Sequence, residues 1–201
     1  PEDMSYSDTL LVFTPPDTFS DGDTVDFTLV SAEDIVGNGI TSSVSTRFYV
    51  DLSPPYVTAV YPPDGAVTND VDPHISIHIQ DDLSGVDPAT ISLNVFGVSV
   101  HYPTGGLFWD GDSVWFNLLS FVDTVCSGDT IEICLDDVAD FPDLCEPNHL
   151  LSPYCFQIAF DFDGPVANIV YPASGSFSNC SDQGVGIPVS YTHLRAHETP
   201  E

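Results

Sequence analysis

The side chains able to do chemistry in this sequence are overwhelmingly carboxylates. Its 201 residues hold 31 Asp and Glu against 2 Lys and Arg, with 6 His and 5 Cys. Calcium takes six to eight oxygen ligands, drawn largely from Asp, Glu and carbonyl groups, so clustered acids are its natural site. Asp81, Asp82 and Asp87 surround a Ser84-Gly85 turn, and Asp51, Asp161 and Asp163 fall at the junctions of an internal repeat. These six are the candidate calcium ligands, and an ion at the junctions would stiffen the chain there. Asp136, Asp137, Asp140 and Asp143 crowd a further loop. The competing reading is local: no D-x-D-x-D-G loop is present, and Asp favours turns because it hydrogen-bonds nearby backbone.

His74 and His78 would share an ion on a helix. On a strand they stand about 13 Å apart at ~3.3 Å per residue, and their segment alternates like a strand. They read as two exposed strand histidines. Nothing assembles a catalytic group: Ser84 and Ser127 adjoin glycines but lie outside any G-x-S-x-G, and paired carboxylates are expected from composition alone. The reading is non-enzymatic. Tyr102, Phe108, Trp109, Trp115 and Phe116 could form a sugar-stacking shelf. Trp115 faces opposite to Val114 and Phe116, so one of those faces must be buried, and core packing or a domain-contact patch is the favoured reading.

The cysteines lie at 126, 134, 145, 155 and 180, with no C-x-x-C and no interleaved histidines, which argues against structural zinc. Disulfides in an oxidising compartment fit better, and with the acidity they point to an extracellular or cell-surface location. Cys126, Cys134, Cys145 and Cys155 are expected to form two bridges among themselves, with three pairings open. Cys134 and Cys155 both alternate out of phase with apolar neighbours, so both face away from the core. Cys180 is left over, its partner expected beyond the fragment.

A formal net charge of −29 excludes two classes of partner. Nucleic-acid affinity comes chiefly from Lys and Arg neutralising phosphates, and anionic membranes need a basic patch. No apolar run reaches bilayer length. Yet 42% of residues are hydrophobic, ample for a packed core.

The elements that must position these groups are short and alternate with period two. Tyr56–Tyr61, His74–Gln80, Ile91–Val100 (folding back at Gly97), Leu107–Trp109, Ser113–Leu118, Thr130–Leu135 and Tyr154–Phe160 read as strands. Asp87–Ile91 alone suggests a helical turn. The expected class is all-β.

An internal repeat organises them. Asp17–Leu29 (DTFSDGDTVDFTL) matches Asp123–Leu135 (DTVCSGDTIEICL) at an offset of 106, and Asp51–Gly65 matches Asp161–Gly175 at 110. Four extra residues must therefore lie around Phe141–Pro153. The period suits a whole sandwich domain. The expected division is the closing half of one repeat (1–51), a complete repeat (52–161) and the opening strands of a third (162–187).

Val189–Thr199 (VSYTHLRAHET) resembles a translated reading frame of a transposon-derived sequencing adapter, so 188–201 is read as a non-native tail and excluded from fold reasoning. The start at Pro1 reads as internal to a longer protein.

Taken together, the motifs resemble the bacterial Ig-like repeats of S-layer and other surface proteins. The opening is Pro54-Pro55-Tyr56-Val57 with Pro62 to Ala66, and the middle runs from Asp82-Leu83-Ser84-Gly85-Val86 to Ile91. The closing half is Leu11 to Pro15, Phe19 to Asp23 and Asp34-Ile35-Val36-Gly37-Asn38. The complete repeat departs at Asp140-Phe141-Pro142-Asp143, where the D-x-x-G-N block is expected to be replaced. The resemblance implies immunoglobulin-like β-sandwiches in tandem, partnered by neighbouring repeats and serving as spacers. The alternatives are an adhesive module for a surface glycan or protein, and an accessory domain of an extracellular enzyme.

Overall fold

A computed structural model of the chain describes residues 4–7, 10–141 and 145–190. Fifteen strands run in chain order. A first group holds β1 (Met4–Ser7), β2 (Leu10–Phe13), β3 (Thr24–Leu29) and β4 (Val44–Tyr49), paired as two separate hairpins, β1–β2 and β3–β4. Then come β5 (Tyr56–Tyr61), β6 (Ala66–Thr68), β7 (His74–Gln80), β8 (Val86–Val95), β9 (Val98–His101), β10 (Phe108–Trp109), β11 (Ser113–Asn117), β12 (Thr130–Asp140) and β13 (Tyr154–Phe160). A last pair, β14 (Val166–Ala167) and β15 (Val189–Ser190), follows. The described residues contain no α-helix, only a short 3-10 turn at Leu118–Ser120. No helix among them is long and apolar enough to cross a membrane.

Strands β5 to β13 form two sheets, ordered β10-β11-β7-β5 and β6-β13-β12-β8-β9, closed face to face over one core. The alternation dictates this. Ile75, Ile77 and Ile79 of β7, with Val114 and Phe116 of β11, turn inward from one sheet. Ile91, Leu93 and Val95, Ile131, Ile133 and Leu135, and Phe156, Ile158 and Phe160 meet them from the other, all essentially buried. Each such side chain contributes roughly 1.5–3 kcal/mol of transfer free energy. The outward positions of β7, His74 and His78, are exposed as the alternation predicts.

The helical turn expected over Asp87–Ile91 is instead part of β8. That segment pairs with the far end of β12, Ala139 opposite Asp87 and Asp140 opposite Val86. The Thr90 hydroxyl locks the pairing by donating to the Asp87 carbonyl and accepting the Ala139 N–H. Long-range pairing outweighs the local helical preference. Strand β12 correspondingly runs five residues beyond the expected Leu135, through two register shifts.

Aligned segments adopt the same register. Thr24 faces Tyr49 in β3–β4 and Thr130 faces Ala159 in β12–β13, which are matching positions under the two offsets. Likewise Tyr56 faces Gln80 and Val166 faces Ser190. This last pair reaches two residues into the adapter-like tail; residues 191–201 lie outside the described residues.

Of the two expected bridges one is formed. Cys134 and Cys155 stand directly opposite in β12 and β13, Cα atoms 4.1 Å apart, and are disulfide-bonded. The second is not: Cys126 and Cys145 are exposed free thiols, as is Cys180. Cys126 precedes the turn that opens β12, whereas Cys145 lies in the loop that follows Asp140.

Candidate functional site

The candidate calcium ligands fall into separate places. Asp51, in the linker between β4 and β5, and Asp81, just after β7, come together; the third carboxylate beside them is Asp140, at the end of β12. One oxygen from each lies within 4.8 Å of the others. Asp82 turns to another partner, accepting the Tyr56 hydroxyl at 3.0 Å, which raises the Tyr56 pKa. Asp87 is engaged within β8, where it accepts the Ala89 N–H. Asp161 and Asp163 lie at the opposite junction, around the Ser127 hydroxyl. Asp137 pairs with His149, Oδ2 to Nδ1 2.9 Å, and Asp143 lies outside the described residues.

Each member of the trio is aimed by the local backbone. Asp81 Oδ1 accepts the N–H groups of Leu83 (3.1 Å) and Gly85 (2.8 Å). That turn needs Gly85 at φ +85°, a left-handed conformation that side chains with a Cβ disfavour. Asp51 Oδ2 accepts the Ser84 N–H at 2.8 Å and Oδ1 that of Ser53 at 3.2 Å. Asp140, 2% exposed, accepts the Asn148 N–H at 2.7 Å and its side-chain amide at 2.6 Å. The same amide reaches the Asp51 carbonyl at 3.2 Å, so Asn148 ties the linker to the end of β12. Asp81 Oδ2 is the exception: it is sealed from solvent and no donor reaches it.

Asp140 was not among the six candidate ligands, and although the D-x-x-G-N sequence is replaced at this point as expected, its hydrogen-bond pattern is retained. Asp34 N–H donates to the Asn38 carbonyl, and Asn38 returns its own N–H (2.8 Å) and side-chain amide (2.7 Å) to the Asp34 carboxylate. Asp140 and Asn148 make the same three bonds. Ile40 to Ala32 and Leu150 to Val138 match as well. Asp34 corresponds to Asp140 at offset 106 and Asn38 to Asn148 at 110, so the four extra residues fall inside the clasp. The signal was available in the offsets but hidden by the longer loop. In the shorter clasp the Asn38 amide and N–H groups hold the Asp34 carboxyl below its ordinary range.

The two junctions also match. Gly22 N–H donates to Val50 O and Val50 N–H to Asp23 O; Gly128 to Phe160 O and Phe160 to Asp129 O repeat this. At the first junction the Asp21 carboxylate accepts the Leu52 N–H and the Ser53 hydroxyl, each at 2.6 Å. These donors, the Ser53 hydroxyl first, lower the Asp21 pKa. At the second, Ser127 stands where Asp21 does and Asp163 where Ser53 does. The Ser127 hydroxyl accepts the Phe162 N–H and donates to Asp163 at 2.8 Å. The contact is kept with donor and acceptor exchanged.

The aromatic set divides. Phe116 is core, and Tyr102 and Trp109 pack against the core edge. Phe108 and Trp115 stack on the outward face of their sheet, centroids 4.3 Å apart, with the His74 ring 5.2 Å from Trp115. No family model matches the chain, and neither a curated protein nor a solved structure matches it.

Proposed function

We propose that this chain is a run of tandem Ig-like repeats of about 110 residues, from an acidic secreted or surface protein, in which each repeat serves as a spacer rather than an enzyme. The observation that carries the reading is the recurrence of one junction. The same turn-to-linker hydrogen bonds are made at Asp21–Ser53 and at Ser127–Asp163, although the residues differ. A spacer needs each unit joined to the next in the same way, whereas its outward loops are free to vary. The disulfide and the scarcity of basic groups agree with an oxidising, extracellular setting.

Small-angle scattering on chains carrying increasing numbers of the complete repeat tests this. The spacer reading expects the longest dimension to grow in proportion to repeat number. Repeats that fold back on one another, giving a dimension independent of number, would overturn it.

A second reading, adhesion through glycan stacking, is favoured by the outward Phe108–Trp115 pair. It requires that the chain bind on a glycan array and that Trp115→Ala abolish the binding without lowering the melting temperature.

A further inference from the structure

We infer that Asp51, Asp81 and Asp140 form a binding site for a hard divalent cation of the calcium class, fastening the linker to the end of the sandwich. The inference stands on these side chains alone and does not depend on the spacer reading.

Three observations carry it. The first is distance. An ion with oxygen ligands at about 2.3–2.6 Å can touch oxygens lying up to about 5 Å apart, and the three carboxylates supply one each within 4.8 Å. The second is the orphan. Asp81 Oδ2 is buried with no donor, which is costly for a carboxylate oxygen unless something positive meets it. Every other oxygen of the trio already has a backbone or amide donor. These donors fix the carboxylates in place while leaving lone pairs for a metal. The third is charge. Asp140 is buried, and three carboxylates converge where no side-chain cation serves them. Arg47, the one basic residue among those described, is held by Asp26 at 2.7 Å, and the His149 Nδ1 is turned to Asp137. The donor set is oxygen only, which selects a hard ion over zinc or copper.

The location gives the ion a task. Asp51 belongs to the linker, Asp81 to the turn after β7 and Asp140 to the end of β12, so one ion would join three separate stretches of chain. Asn148 already bridges two of them.

The test is isothermal titration of the intact chain with calcium chloride, paired with thermal melts. One ion should bind saturably, with a dissociation constant of about 1 mM or tighter, the range of extracellular calcium modules. The melting temperature should then rise with calcium concentration, because ligand binding to the native state must stabilise it. Asp81→Asn and Asp51→Asn should each weaken binding at least about tenfold by removing a charged ligand. Asp123→Asn, an exposed acid elsewhere, should leave it intact. Without calcium, Asp81→Asn should melt no lower than the parent, since it relieves carboxylate crowding and keeps Oδ1. A purely structural Asp81 would instead lower that melt. No saturable uptake and no thermal shift up to about 10 mM, well above that range, would overturn the site. So would unchanged calcium binding in both Asp51→Asn and Asp81→Asn.

Discussion

The hairpins β3–β4 and β12–β13 share one register and one set of facing positions, yet they live in different surroundings. In β12–β13 the inward residues Ile131, Ile133 and Ile158 are at most 2% exposed, because β7 and β11 cover them. Their counterparts in β3–β4, Val25, Phe27 and Phe48, are only half-buried, and Phe13 and Phe19 beside them are exposed. Phe27 leans on Phe13 and Phe48 on Phe19, ring centroids 5.6 and 5.7 Å apart. The outward pairs differ as well. Thr28 and Ser45 share a hydroxyl–hydroxyl hydrogen bond at 2.9 Å where Cys134 and Cys155 form the disulfide. Arg47 grips Asp26 through two nitrogens where Gln157 reaches Glu132 at 3.1 Å. Register and turn chemistry are therefore local properties of the repeated sequence. What differs among the described residues is that no opposing sheet covers β3–β4, as expected where 1–51 is only the closing half of a repeat, and the way each outward pair is joined.

The sharpest way to break this comparison is to remove one inward side chain at the same position in each hairpin. Ile133→Ala should cost about 2–5 kcal/mol, the range for a truncated core aliphatic. Phe27→Ala should leave the unfolding free energy of the sandwich within about 0.5 kcal/mol of the parent, as expected away from its core. Urea unfolding followed by tryptophan fluorescence measures both, since Trp109 and Trp115 lie in the sandwich sheets. Equal losses would mean that the two hairpins share one cooperative core.

The outward pair comes next. Replacing Cys134 and Cys155 by the Thr and Ser of the other hairpin should cost about 3 kcal/mol, given a sequence separation of 21 between the bridged residues. The converse graft, Thr28→Cys with Ser45→Cys, should oxidise to a bridge in β3–β4, which non-reducing peptide mapping would detect. Failure of that graft would show that the shared register does not extend to shared side-chain geometry.

What could be read before folding follows the same division. Strands His74–Gln80 and Tyr154–Phe160 were legible to the residue because period-two alternation marks a strand with one buried face, whereas Tyr56–Tyr61 has the expected bounds although a register shift between Val57 and Ala59 breaks its alternation. The Cys134–Cys155 facing was half legible: phase placed both outward, but only the pairing of β12 with β13 sets them opposite. Asp87–Ile91 was misread because its strand is imposed by Ala139 and Asp140, some fifty residues away. Asp140 escaped for a related reason. Its partner Asn148 is eight residues on instead of four, so the clasp motif was no longer contiguous.

The junction contacts offer a smaller and more specific test. Asp21→Ala should speed exchange of the Leu52 amide several-fold by removing its acceptor, with the strands otherwise unchanged. Exchanging the pair, Asp21→Ser with Ser53→Asp, should restore much of that protection by recreating the polarity of Ser127 and Asp163. Restoration by the pair but by neither single change would establish that the two junctions are interchangeable solutions. An exchange rate as fast in the pair as in Asp21→Ala would show that the contact depends on its surroundings.

The smallest effect is a proton equilibrium, and its sign follows from the hydrogen bonds. The Ser53 hydroxyl and Leu52 N–H lower the pKa of Asp21, and the Asn38 amide lowers that of Asp34. A carboxylate depressed on folding adds stability that is fully present above its unfolded pKa, about 4. That contribution is lost as pH falls through the folded value. The clasp and junction of the β3–β4 hairpin should therefore be indifferent to pH between about 7 and 5 and loosen only below about 4. Carboxyl-carbon NMR titration reads this directly. Asn38→Ala should move Asp34 back towards the ordinary aspartate value while leaving Asp21 where it was. If both moved together, the clasp and the junction would be coupled, and the β3–β4 hairpin would act as one polar unit.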